Sequence, residues 1–151
     1  MDHSIATLTE ARVCTIPRER MEGLAEKHPR IAQTFWWTQL VDEGVLRAWI
    51  VSMGRRNAIE RISHLVCELY LRMRSVGIAD GDRCRMPLTQ TVLADALGLT
   101  PIHVNRVLRK LREAKVMELH GGELVVHDPA RLASIAGFDD NYLHRRLSRA
   151  A

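Results

Sequence analysis

Apolar positions change their spacing several times along the chain, and each change predicts a different element. Residues 1–17, "MDHSIATLTEARVCTIP", are rich in Thr, Val and Ile, with Ile5, Val13 and Ile16 spaced as in short strands that stop at Pro17. Between residues 29 and 53 the period becomes helical through Ile31, Phe35, Trp36, Trp37, Leu40, Val41, Val45, Leu46, Trp49, Ile50 and Met53. The set 45, 46, 49, 50 and 53 makes a stripe wider than one packing face needs. One side of this helix is therefore expected against its own domain and the other against a partner helix. Gly54 is expected to end or bend it.

A second helix is predicted from about Asn57, with Ile59, Ile62, Leu65, Val66, Leu69, Tyr70 and Met73 facing inward. Gly77 and the run Asp80-Gly81-Asp82 supply a turn, and "RCRMPL" reads as a short strand leading to Thr89. In "LADALGLTPIHVNRVL" (93–108) a helical rhythm in Leu93, Ala94 and Leu97 breaks at Gly98 and resumes in Val104, Val107 and Leu108. Thr89 and Thr100 suit two N-caps, Pro101 suits a first helical turn, and Gly98 allows the sharp backbone that sets two helices at an angle. That is a helix-turn-helix. Ile102, His103, Asn105, Arg106 and Arg109 are left pointing outward from its second helix. "VMELHGGELVVHD" then alternates into two strands around Gly121-Gly122, a hairpin where the wing of a winged helix would lie.

Charge sharpens this picture. The net charge is only +4, but residues 101–115 hold Arg106, Arg109, Lys110, Arg112 and Lys115 against Glu113 alone, so the excess is concentrated on the second helix and its end. A polyanion is the partner that such a face attracts. The three cysteines, Cys14, Cys67 and Cys84, include no C-x-x-C pair and read as free thiols of a reducing cytosol. No apolar run approaches the roughly 20 residues that span a bilayer, and the first twenty residues lack a signal-peptide core, so a cytoplasmic protein with no membrane partner is expected. His64 and Cys67 stand one turn apart, but the pattern offers no third or fourth ligand, and none of the seven histidines sits in a nucleophile, metal or phosphate-loop pattern. No enzyme activity, catalytic residue, metal or cofactor is expected.

The runs "LVDEGVLRAWIVSMGRRNAIERISHLVCELYLRMRSVG" (40–77), "MPLTQTVLADALGLTPIHVNRVLRKLREAKVMEL" (86–119), "GGELVVHDPARLASIAGFD" (121–139) and "YLH" (142–144) resemble the C-terminal part of Crp/Fnr-type bacterial transcription regulators. The resemblance implies a mainly α fold with small β: a winged helix-turn-helix over 55–151, a dimerisation helix over 29–54, and in 1–28 a remnant of the family's sensory β-barrel with a connector. It implies a sequence-specific DNA-binding regulator, activator or repressor, acting as a homodimer on a pseudo-palindromic operator without most of its sensor. RNA polymerase is a further candidate partner. Many relatives carry a Glu early in the reading helix where this chain has Ile102 and His103, whereas the motif's Arg is kept as Arg106. Base reading is expected from Ile102, His103, Asn105 and Arg106, since Arg can grip the O6 and N7 edge of guanine and Asn suits adenine. Phosphate contacts are expected from Thr89, Gln90, Thr100, Arg109 and His120. The dimer interface is expected at Trp37, Val41, Val45, Ala48 and Trp49. The competing reading is a dimerising protein-interaction fragment that binds DNA weakly or not at all.

Overall fold

Asn57 shows how strongly local sequence sets this structure. Its side chain accepts from the backbone N–H groups of Ile59 and Glu60 at 3.1 and 3.2 Å, and the Glu60 carboxylate accepts from the Asn57 N–H at 2.8 Å. This reciprocal pair satisfies donors that a helix start leaves unpaired. The helix that follows, Ala58–Ser75, is the third of six among the described residues. The computed structural model describes residues 4–144 and orders the elements as α1 (Arg18–Lys27), α2 (Pro29–Arg55), α3 (Ala58–Ser75), β1 (Arg83–Arg85), α4 (Gln90–Leu97), α5 (Pro101–Glu113), β2 (Met117–His120), β3 (Glu123–Val126) and α6 (Pro129–Ala136), with a 3-10 turn at Asp140–Leu143. Residues 1–3 and 145–151, the outer ends of the expected barrel remnant and DNA-binding domain, lie outside the described residues. The described chain is mainly helical with one small antiparallel sheet.

Those residues form two units, 4–48 with 141–144, and 49–140. In the first, residues 4–17 form neither strand nor helix, which corrects the strands expected there. Ile5 and Val13 are each 74% exposed and Ile16 61%. β-branched composition alone does not hold a strand, because an unpaired strand leaves its backbone donors and acceptors to water. Helix α1 stands where only a connector was expected. Further on, the Trp37 and His144 rings meet edge to face at 5.9 Å.

The second unit carries the core. From α3 it takes Ile62, Leu65, Val66 and Tyr70, from α4 Leu93, Ala94 and Leu97, and from α5 Val104, Val107 and Leu111, all 6% exposed or less. The sheet order is β1-β3-β2, with Cys84 and Leu119 both opposite Leu124. Alternate β3 residues Leu124 and Val126 close the core together with Met117, Leu132 and Ala136. Gly54 does not end α2, which runs on to Arg55. Nothing lies within 4 Å of where a Gly54 side chain would begin, and the helix instead gives way at Arg56, just before the Asn57 cap. α6 starts on the Asp128 side chain, which accepts from the Arg131 N–H at 2.9 Å, and ends at Gly137 in the left-handed conformation.

Candidate nucleic-acid interface

Four local devices build the helix pair. The Thr89 hydroxyl oxygen accepts from the Val92 N–H at 3.2 Å and starts α4. Gly98, at φ 62 and ψ 41, ends it, and its N–H donates to the Ala94 carbonyl. An L side chain at that φ costs roughly 1–2 kcal/mol, so the position suits glycine. The Thr100 hydroxyl oxygen then accepts from the His103 N–H at 3.2 Å, and Pro101 opens α5 without a missing donor. Leu93, Ala94, Leu97, Val104 and Val107 lock the two helices together from beneath.

Burial of Val104, Val107 and Leu111 turns the opposite side of α5 to solvent. Ile102, Asn105, Arg106 and Arg109 follow one another at i, i+3, i+4 and i+7 and are all exposed, Ile102 to 74%. His103 is exposed beside them, three residues from Arg106. Among the described residues, no acidic side chain pairs with Arg106, Arg109 or Arg112 within 4.0 Å, so this face keeps its positive charge.

β2 flanks α5. Between them lies a groove of about 270 Å³ lined by Gln90, Asn105, Leu108, Arg109, Arg112, Glu118, Leu119 and His120. The groove gathers four residues expected at a DNA contact, Gln90, Asn105, Arg109 and His120, from three separate elements. It also brings in Arg112, expected only as part of the basic segment, and Glu118, which was not expected; Arg112 stands three residues beyond Arg109 on the same face. Glu118 lies 3.6 Å from the His127 ring nitrogen across the hairpin. Ile102, His103 and Arg106 lie outside the groove, and Thr89 and Thr100 are engaged as caps while their hydroxyl protons stay available to donate.

His64 and Cys67, one turn apart on α3, are built into the packing. His64 is 3% exposed, its ring 5.2 Å from that of Phe138, and burial aided by the Arg56 charge lowers its pKa to about 4. Burial pushes the Cys67 thiol up to about 12, far from the thiolate that binds metals. No group of three or more His, Cys, Asp or Glu suited to a metal occurs among the described residues. No helix among them is long and apolar enough to cross a membrane.

On α2, Trp37 is 49% exposed, while Val41, Val45, Ala48 and Trp49 are half-buried. Trp49 packs against the core of the second unit and donates from its indole N–H to the Glu68 carboxylate at 3.2 Å. On α2 the apolar residues most open to solvent are Trp36 (70%), Leu46 (61%) and Ile50 (72%), which the expected interface did not include.

Two capped helices across a left-handed glycine, the second exposed and basic and followed by an antiparallel hairpin, define a winged helix-turn-helix DNA-binding domain. A model of the Crp-like helix-turn-helix domain matches residues 60–135, and the chain belongs to that family, among the Crp/Fnr-type bacterial transcription regulators. It is 28% identical over 143 residues to the transcriptional activator protein FnrL of Cereibacter sphaeroides, covering 92% of this chain and 58% of that protein. It is 31% identical over 123 residues to the probable transcriptional regulator flp of Lacticaseibacillus casei, covering 78% of this chain and 51% of that one. The chain thus spans about half the length of the curated relatives it matches. In fold it is similar to FixK2 from Bradyrhizobium japonicum, with a TM-score of 0.72 at 22% identity over 82% of this chain and 61% of that one. It is similar also to CprK complexed with OCPA, with a TM-score of 0.60 at 20% identity over 78% and 54%. The relatives are transcription regulators, a family without enzymatic activity.

Proposed function

We propose that the chain reads a specific DNA sequence as a homodimer, with 55–151 as the DNA-binding domain and 29–54 as the dimerisation helix. The observation that carries the reading is the exposed stripe Ile102, Asn105, Arg106 and Arg109 beside a groove whose other walls are Gln90, Leu108, Arg112, Glu118, Leu119 and His120. A helix with such a stripe fits the major groove of DNA, where base edges present distinct donor and acceptor patterns. Arg106 and Asn105 carry direct base contacts, and Ile102 and His103 add apolar or water-mediated ones. Thr89, Gln90, Thr100, Arg109 and His120 hold phosphates, joined by Arg112; these contacts fix position without reading sequence. Two such helices in a symmetric dimer enter successive major grooves about one helical turn apart.

The experiment is in vitro selection of bound duplexes followed by titration of Arg106→Ala on a selected site and on random DNA. Binding to the selected site is expected to weaken by about 1–3 kcal/mol, with relaxed preference at one base pair of each half-site. Equal loss on both duplexes would reduce Arg106 to a phosphate contact.

Dimerisation is supported by apolar side chains that α2 leaves in water: Trp36, Leu40 and Leu46 within 29–48, and Ile50 and Val51 within 49–55. Trp49 is also held by the core of its own unit; the proposed dimer interface keeps Trp37, Val41, Val45 and Ala48 and adds these exposed positions. The same exposed residues favour the competing reading of a protein-interaction fragment, which predicts no sequence enriched by selection.

A further inference from the structure

Two arginines near the exit of α2 make hydrogen bonds that neither the caps nor the DNA-contact reading explains. The Arg61 guanidinium donates from Nε to the Arg56 carbonyl at 2.8 Å, just past the last residue of α2, and from Nη1 to the Leu97 carbonyl at 3.2 Å, the last residue of α4. Arg56 in turn donates from Nε to the Ala136 carbonyl and from Nη2 to the Gly137 carbonyl, each at 3.0 Å, at the end of α6. The last carbonyls of a helix have no partner within it and sit at the negative end of its dipole, so each guanidinium occupies a favourable place. Met53, on the last turn of α2, lies beside the same bend: its Cε is 3.3 Å from where a Cβ on Gly98 would stand. Arg61, on α3, therefore ties the residue after α2 to the last residue of α4, and Met53 stands beside the same bend, all within residues 49–140.

We propose that Arg61 is a positioning residue for DNA recognition: by bridging the end of α2 and the bend before α5, it fixes the angle at which α5 is presented. The proposal rests on the DNA-reading function argued above. Arginine suits the task because its N–H groups form a rigid fork that serves two acceptors at once, whereas a lysine ammonium is a single point on a flexible stem. Leverage makes the angle matter. At 1.5 Å per residue Arg106 stands about 7.5 Å along α5, so a tilt of about 10° at its start moves that base-reading position by about 1 Å, more than the roughly 0.5 Å over which hydrogen-bond lengths vary. Forked contacts to a base edge do not survive such a shift, while attraction to phosphates depends on charge and tolerates it.

The full chain, Arg61→Met and Arg61→Lys are titrated on a selected duplex and on random duplex, with far-UV circular dichroism on each sample and Arg106→Ala alongside. Arg61→Met is expected to lose tenfold or more on the selected site and less than threefold on random DNA, with the fold retained. Arg61→Lys, which keeps the charge and loses the fork, is expected to fall between. Were Arg61→Met unfolded, Arg61→Lys and Met53→Ala, which removes the side chain beside the bend, carry the test by the same ratio. Folded variants that keep the unmodified selectivity while Arg106→Ala loses it would overturn the positioning role alone. A parent chain with no sequence preference would overturn it together with the DNA-reading function.

Discussion

Acid should destabilise this protein through His64. The ring is 3% exposed and lies against Phe138, and its pKa falls from the ordinary 6.5 to about 4, first because burial opposes the charged form and next because the Arg56 guanidinium repels it. Glu68 acts in the opposite sense without reversing the result. Between pH 6.5 and about 4 the unfolded chain holds a proton on this histidine that the folded chain refuses. Unfolding takes up protons there, so stability is full above pH 6.5, falls as pH drops through the window, and levels off below about 4. At about 1.4 kcal/mol for each pH unit, the gap between 6.5 and 4 corresponds to roughly 3 kcal/mol, an upper figure because native structures relax around a buried charge. That is a large fraction of the stability of a small domain. The assay is urea unfolding followed by circular dichroism at half-unit steps from pH 7.5 to 4, on the parent chain and on His64→Gln. Glutamine does not titrate, so the variant should start less stable, having lost the ring contact, and then decline less steeply. Parallel curves through pH 6.5 to 4.5 would show that His64 does not carry the acid sensitivity.

Two further predictions address the turn and the assembly. Gly98→Ala should cost about 1–2 kcal/mol in urea unfolding, because φ 62 strains any L side chain and Met53 Cε, at 3.3 Å, must also give way; an unchanged midpoint would mean the bend relaxes freely. Leu46→Glu and Ile50→Glu, at positions 61% and 72% exposed, should leave the melting temperature of a lone chain unchanged but weaken the dimer at least tenfold in sedimentation equilibrium, about 1.4 kcal/mol. A parent chain that sediments as a monomer at tens of micromolar would refute the dimer.

The helix-turn-helix was legible because its signals are local. Thr89, Gly98, Thr100 and Pro101 each act on backbone groups within four residues, and the buried positions 93, 97, 104 and 107 follow the helical period. The hairpin was legible for the same reason, with Gly121 and Gly122 joining strands that pair in register. Local patterns misled where composition stood in for partners, as in residues 4–17. Helix α1 escaped because "RERMEGLAEK" buries no residue and so shows no strong apolar stripe. Arg112 could have been found by extending the step of three from Arg109. Glu118 could not, because its place in the groove depends on how the hairpin folds back beside α5.

Long-range donors to main-chain carbonyls leave no pattern at all. Arg61 and Leu97 are 36 residues apart, and any residue can supply the carbonyl, so nothing at position 97 marks it as a partner. The same limit governs α2. Apolar residues lie around most of its circumference, which tells that two surfaces must be covered but not which residue serves which. Only the contacts decide: Trp49 is drawn into the second unit by the core and by Glu68, and Ile50, its neighbour in sequence, is left 72% exposed. Adjacent residues on a helix point about 100° apart, so a boundary between two covering surfaces can pass between them. A helix that is apolar on many sides therefore encodes the number of its partners in composition and their identity in packing.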